Sequence, residues 1–524
     1  MNDRILNIEI TVRARRVVLV EAFRLAENRL TFLFGESGIG KSLIARAFYG
    51  LLDPDDFSVR INGRDYSSYL TDDSTRAMQE NGFFVFQEPS SHLNPLMNIR
   101  QQLQEGILAR WSDGIGDLKQ LWQGEAAHEV DKLLEVYPKP FRPSGGEKQR
   151  VLLAMALIKL DLMMESDDRR APRVFIFDEP TGSLDNQSRD LFLSLLLKRY
   201  RQRPFTCLFI THDYSILHHI MTTYPDIMAR MDSRELTPAG ERLAFKEFHP
   251  ATFSGWLEEL RREKVSSNQR QVSNPLLTVE SDLEVLGRTL QVSSDRPRRG
   301  PAPIQLFPGR LIYLKAPSGT GKTTLVKAVM GLTTAQKMNV MLIGKRLTES
   351  TPRRYWQKHI WGKTMTMVFQ HADEALNMHS TVEETLRGLP LRGTTVPTKI
   401  ENGLGELFDP DTISILLKKK VWMLSGGQKQ RLNLLRSFFL DTDVLMLDEP
   451  LNGLDFESCT RVIGMLRKKL NDGKGMLVIS HNEEIFDTLV SDEDRYYLHA
   501  RASGENASDP KYRLSVIDER GTAG

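Results

Sequence analysis

The chain has 524 residues, too many for one ordinary hydrophobic core, so at least two domains are expected. Its 70 basic and 68 acidic side chains leave a formal net charge of +2, a balance that gives no reason to expect nucleic acid as a partner. The longest apolar stretch, Val151 to Met164, is broken by Lys159 and Asp161 and falls short of the ~20 residues that span a bilayer. The N-terminus lacks the basic-then-apolar order of a signal peptide, and two cysteines, Cys207 and Cys459, fit a reducing compartment better than a disulfide framework. A cytoplasmic location is expected, with Cys207 as a small core residue.

Arg29 to Phe34 is a short apolar run that predicts a strand. It feeds Gly35-Glu36-Ser37-Gly38-Ile39-Gly40-Lys41-Ser42, and a helical pattern follows through Leu52. Strand, glycine-rich loop and helix in this order make a P-loop. The loop amides around Gly35, Gly38 and Gly40 cradle phosphates, Lys41 reaches the terminal ones, and the Ser42 hydroxyl takes Mg²⁺. The next apolar strand, Gly82 to Phe86, ends at Gln87 and gives way to a loop through Leu96. Pro143 to Arg150 reads Pro-Ser-Gly-Gly-Glu-Lys-Gln-Arg. There Ser144, Gly145, Gly146 and Glu147 place a hydroxyl and unshielded amides at a helix N-terminus, a ready site for a phosphate.

Val151 to Leu160 predicts a largely apolar helix, and the charged segment Asp161 to Arg173 reads as a solvated surface hairpin. Val174 to Phe177 is an apolar strand that delivers Asp178 and Glu179 at its carboxyl end, where α/β sheets place their ligands. Two adjacent carboxylates on a buried strand require a cation or a proton. Ser183-Leu184-Asp185 follow, and the strand Cys207 to Ile210 ends at Thr211-His212. Residues 213 to 265 carry no recognisable chemistry. The polar stretch Ser266 to Pro275 lacks any apolar period and reads as a linker. Ten flexible residues span about 16 to 19 Å, which keeps the flanking domains at millimolar effective concentration and makes their pairing intramolecular.

The second half repeats the first. Leu311 to Lys315 feeds Ala316-Pro317-Ser318-Gly319-Thr320-Gly321-Lys322-Thr323, and Gln370 ends Met365 to Phe369. Ser425-Gly426-Gly427-Gln428 opens a helical run, Asp448 and Glu449 end Val444 to Leu447, Gly453-Leu454-Asp455 follow, and His481 ends Leu477 to Ser480. Lys322 follows Lys41 by 281 residues, Gln370 follows Gln87 by 283, and Ser425 follows Ser144 by 281. Beyond the charged insertion the offsets drop to 270 for Asp448 and 269 for His481, and register is kept, so this is a duplication. The expected domains are 1–265 and 276–524, joined by 266–275.

Five motifs in fixed order, twice over and across nearly the whole chain, resemble the ATP-binding-cassette (ABC) ATPases. The resemblance implies an α/β fold of two tandem P-loop NTPase domains, each a RecA-like core with a helical subdomain. It implies ATP and Mg²⁺ as ligands. Ser42 and Thr323, Asp178 and Asp448, and Gln87 and Gln370 would then attend the metal. Glu179 and Glu449 would act as general bases on the attacking water, and His212 and His481 would contact the γ-phosphate. The family's head-to-tail arrangement sets Lys41, Ser42, Gln87, Asp178, Glu179 and His212 against Ser425 to Gln428. It sets Lys322, Thr323, Gln370, Asp448, Glu449 and His481 against Ser144 to Glu147. Two hydrolytic sites are expected, the second departing from the pattern at Ala316, Pro143 and Glu147. Neither half has an aromatic where the family stacks the adenine.

The short distance from Lys41 to Asp178 leaves no room for the coiled coils of maintenance and repair ATPases. Gly182-Ser183 and Asn452-Gly453 stand where the ribosome-acting tandem relatives usually carry Asn-His. The loops after Gln87 and Gln370 look like those of the peptide and nickel importer branch. That branch implies separate membrane permease subunits as partners, and a peripheral place on the inner face of the plasma membrane. The alternative is a soluble tandem ATPase that remodels or activates an enzyme complex, as in phosphonate breakdown or methyl-coenzyme M reductase activation.

Overall fold

The computed structural model describes residues 6–12, 15–94, 96–104, 116, 118–122, 130, 134, 145–165, 173–182, 184–240, 242–262, 274–294, 301–316, 319–389 and 396–502. Pro143, Ser144, Ser183, Pro317, Ser318 and all of the expected linker except Asn274 and Pro275 lie outside the described residues.

The first half builds a ten-stranded sheet around the strand Leu30–Gly35. On one side of it Thr206–Ile210, Val174–Asp178 and Phe83–Val85 follow in parallel. On the other side Met231–Ala239 is parallel and Arg242–Glu247 turns back antiparallel. A bridge from Leu243 to Val20 then reaches the antiparallel strands Arg15–Phe23, Leu6–Val12 and Ser58–Ile61. Every residue of Leu30–Gly35, Val174–Asp178 and Thr206–Ile210 is buried, because parallel strands are covered on both faces. That is why they read as continuous apolar runs.

The second half repeats this order as Leu311–Lys315, Gly475–Ile479, Val444–Asp448 and Met365–Val368, with Arg495–Ala502 on the opposite flank. Helices Val382–Arg387, Val396–Leu407 and Ile413–Lys418 stand between Gln370 and Ser425 as a helical subdomain. In each half the P-loop, the glutamine, the Asp-Glu pair and the histidine thus come to the carboxyl ends of neighbouring parallel strands.

The segment expected as a surface hairpin from Asp161 is helical at its start. The helix Gly145–Glu165 runs on through it, because Leu160 and Met163 are buried and Arg199 grips the Asp161 carboxylate through Nε at 2.8 Å and Nη2 at 2.6 Å. The apolar core of the first half, around Phe209 and Phe253, continues into Leu454, Ile463 and Ile485 of the second. Helix Pro250–Arg262 packs across the boundary on helix Glu483–Leu489. Among the described residues no helix is long and apolar enough to cross a membrane.

Candidate active sites

In the first P-loop, Gly35 has φ 138° and Gly40 has φ 116°. A Cβ on Gly35 would lie 2.7 Å from the Leu236 carbonyl, so only glycine lets the strand turn into the loop there. Lys41 opens the helix Lys41–Tyr49, and its buried ammonium donates to the carbonyls of Gly35 at 2.6 Å and Glu36 at 3.0 Å. In the second loop Lys322 donates to the Ala316 carbonyl at 2.5 Å. Ala316 stays out of the positive-φ region, so this loop leaves its strand by a different path and accepts the side chain.

The Ser42 hydroxyl donates to Asp178 Oδ1 at 2.8 Å, and the Thr323 hydroxyl bonds Asp448 in the same way. The second oxygen of each carboxylate, Oδ2, is buried with no hydrogen-bond partner. Burial pushes both carboxyls up to about 6. A hydroxyl, a carboxylate and an orphaned carboxylate oxygen form an all-oxygen donor set, which fits Mg²⁺ sharing its remaining positions with phosphates and water.

Glu179 and Glu449 each follow the aspartate in the left-handed region, at φ 48° and φ 49°, conformations that cost about 1 to 3 kcal/mol and persist where the surroundings hold them. Each main-chain N–H is anchored on the neighbouring strand, to Ile210 O at 3.0 Å and to Ile479 O at 2.9 Å. The carboxylates differ. Glu179 Oε2 lies 2.8 Å from His212 Nδ1. Burial works against both charges, yet each partner offsets it for the other, so the carboxyl is held below its usual range and the imidazole above its own. Glu449 lies 3.5 Å from His481 Nε2 and accepts instead from the Ser480 hydroxyl at 3.1 Å and the His481 N–H at 3.0 Å. Burial dominates there, raising Glu449 to about 7. Burial and the Lys322 charge lower His481 to about 4.

The two halves meet directly over the first P-loop. Ser425 caps the helix Gly426–Phe439 in a capping box with Gln428, accepting the Gln428 N–H at 3.1 Å while donating its hydroxyl to Glu36 Oε1 at 3.0 Å. Arg431 Nη2 donates to the same oxygen at 2.7 Å, Nη1 donates to Leu407 O at 3.0 Å, and the guanidinium lies over the Phe408 ring. The Ser37 N–H donates to Gly453 O at 2.8 Å. A Cβ on Gly427 would meet the Glu36 carboxylate at 2.4 Å, and one on Gly38 would meet the Gly426 nitrogen at 3.3 Å. The glycines let the loops close.

At the second site Ser144 lies outside the described residues, and a Cβ on Gly145 or Gly319 would meet nothing within 4 Å. Gly146 and Glu147 follow in the first turn of their helix, partly exposed. Gly321, at φ 103°, precedes helix Lys322–Val329, and burial lowers the Lys322 ammonium below its usual range against the opposing charges of Glu449, Glu483 and, from the first half, Asp185. Glu179, His212, Gln370, Glu449 and His481 line one small polar cavity between the halves, whereas Gln87 sits exposed beyond the end of its strand. Glu36, Arg431 and Ser480 were not read from the sequence as site residues. Each lies in or beside a motif, Glu36 in the P-loop, Arg431 on the helix opened by Ser425 and Ser480 next to His481, but motif chemistry assigns none of them a role.

Two P-loops, each with a Ser/Thr–Asp pair and a following glutamate, and the first closed by a helix N-terminus from the other half, define a nucleoside triphosphatase whose first site is composite. The family described as ABC transporter matches residues 21–182 and 301–452, and the chain belongs to that family and is an ATPase with tandem ABC domains. It is similar to the peptidoglycan transport ATP-binding protein YejF of Agrobacterium fabrum, 28% identical over 496 residues that cover 90% of this chain and 86% of that protein. It is also similar to the glutathione import ATP-binding protein GsiA of Escherichia coli K12, 24% identical over 519 residues that cover 89% and 80%. Among solved structures the RNase-L inhibitor superposes with a TM-score of 0.58 at 19% identity, covering 94% of this chain and 89% of that one, a likeness of fold.

Proposed function

We propose that two domains, 1–265 and 276–524, hydrolyse ATP at two composite sites and drive a separate membrane permease of the peptide importer type. The observation that supports the enzymatic part is the closure of Ser425 and Gly453 on the first P-loop, which brings one domain's phosphate-binding helix to the other's loop. Lys41 and Lys322, with the loop amides, hold the phosphates. Ser42 with Asp178, and Thr323 with Asp448, hold Mg²⁺, which when bound offsets the charge of the phosphate oxygens. Glu179 and Glu449 take a proton from the attacking water as general bases, and His212 orients Glu179 through their 2.8 Å contact.

The transport part is supported by YejF and GsiA, whose names give transport and import roles and whose lengths this chain largely covers. The loops after the two glutamines are tied to the phosphate-binding helices, Ser90 by Lys148 at 3.0 Å and Asp373 by Lys429 at 3.3 Å. A permease docked on these loops would therefore move with closure. The loops differ in sequence, which favours a heterodimeric or asymmetric partner. Affinity purification from gently lysed cells, with membranes retained and then removed, tests this. Recovery with membrane-spanning subunits is expected, and recovery of only a soluble enzyme complex in both preparations overturns it in favour of the remodelling ATPase.

A further inference from the structure

Phe456 follows Asp455 as the first residue of the helix Phe456–Asn471. Its ring packs in a socket of four aromatic rings from the first half, with ring centroids 5.2 Å from Phe248, 5.4 Å from Trp256, 5.6 Å from Tyr214 and 6.3 Å from Phe253. The floor of the socket is polar. The Phe456 N–H donates to the Tyr214 hydroxyl at 3.0 Å and lies 3.3 Å from Glu235 Oε1, which also accepts from Tyr214. A carboxylate of one domain thus satisfies and charges the helix N-terminus of the other.

Two residues upstream of the Asp455 cap, Gly453 offers its carbonyl to the Ser37 N–H of the first P-loop. The socket is one-sided. Asn186 stands where Phe456 stands in the repeat. Glu483 stands for Tyr214 and is held by Lys315 at 2.8 Å, and in strand register Tyr497 beside Lys315 replaces Glu235 beside Phe34.

We propose that Phe456 in this socket is a positioning residue for the first ATP site, a joint that keeps Gly453 on the first P-loop. Four aromatic contacts to a half-buried ring and a doubly bonded N-terminal amide hold the start of the helix in place. The three residues from Phe456 back to Gly453 leave little play.

The test separates the sites by activity. In a Glu449→Gln background, which leaves the first site, Phe456→Ala is expected to lower turnover at saturating ATP by about tenfold or more, as a misplaced positioning group does. In a Glu179→Gln background, which leaves the second, the same change should stay within about twofold. Phe456→Leu, which refills the socket, should recover most of the loss. Equal losses in both backgrounds, or no loss in the first, overturn the proposal. Hydrogen exchange on the unmodified chain decides it if the alanine variant does not fold. Peptide 452–459 should be protected with and without ATP, and more strongly than its repeat counterpart 181–188. Exchange in 452–459 as fast as in 181–188 without nucleotide overturns the joint.

Discussion

Glu36 and Arg431 stand 395 residues apart in the chain, and their side chains meet at 2.7 Å where the first P-loop touches the phosphate-binding helix of the second half. Both are nearly buried, at 10% and 12% side-chain exposure, so solvent screens the pair little. Burial raises the Glu36 carboxyl and the Arg431 charge opposes the rise. Arg431→Ala should weaken the first site about tenfold to hundredfold in kcat/KM, the range that ~1.5 to 3 kcal/mol of charge-assisted bonding gives. Added to Glu36→Gln it should cost much less than it does alone, and additive losses in the double-mutant cycle would show that the two residues act separately.

Glu179→Gln with Glu449→Gln should abolish steady-state hydrolysis and leave ATP binding, because the phosphate cradle is untouched. Of the single variants, Glu449→Gln should keep more activity, since Glu179 is the carboxylate held charged by His212. Phosphate release and nucleotide binding on the three variants check this, and equal residual rates would remove the asymmetry.

Gly35→Ala should abolish nucleotide binding at the first site, because its Cβ would press on Leu236 O at a φ of 138°. Ala316→Gly should change the second site by less than ~1 kcal/mol, since that backbone is already compatible with alanine. Binding of a fluorescent nucleotide to each variant distinguishes the two loops.

ATP should be preferred to GTP by about tenfold or less. Stacking on an aromatic is worth ~1 to 3 kcal/mol per base, and neither half places an aromatic in the family's position for it. Competition between the two nucleotides measures this, and a hundredfold preference would reveal an aromatic or arginine reaching the base from elsewhere.

Glu484, from the second half, is raised to about 8 by burial and by the neighbouring Asp213 of the first half, and its Oε2 has no hydrogen-bond partner. The folded state therefore binds a proton that the unfolded state, with a carboxyl near 4.5, gives up. The sign is that of lost stability as pH rises from the unfolded value through the folded one. Glu484→Gln should raise the melting temperature at pH 8 by about 2 to 4 °C, the shift that ~1 kcal/mol produces in a domain of this size. The gain should vanish below the unfolded carboxyl value, and an equal gain at acid pH would rule out titration as its cause.

The parallel strands were legible because burial on both faces leaves continuous apolar runs. Val174 to Phe177 and Leu311 to Lys315 lie where the structure has them to within a residue. The P-loops, Asp178, Asp448 and their following glutamates were legible because each motif is contiguous and its chemistry is largely that of the local backbone. The stretch 213 to 265 reads as chemically empty, yet it holds Tyr214, Glu235, Phe248, Phe253 and Trp256, which converge on Phe456 from 200 or more positions away.

The sequence by itself determined that this chain carries two ATPase domains in register, since loops and strand ends are local and repeat wherever their residues repeat. It also showed the second site departing at Ala316, Pro143 and Glu147, but only the tertiary structure decided how the surroundings of the two catalytic glutamates differ. Whether a glutamate pairs with histidine or with Ser480, and whether Phe456 finds an aromatic socket, depends on distances between segments remote in the chain. Near-identical motifs acquire different electrostatics from their unlike neighbours.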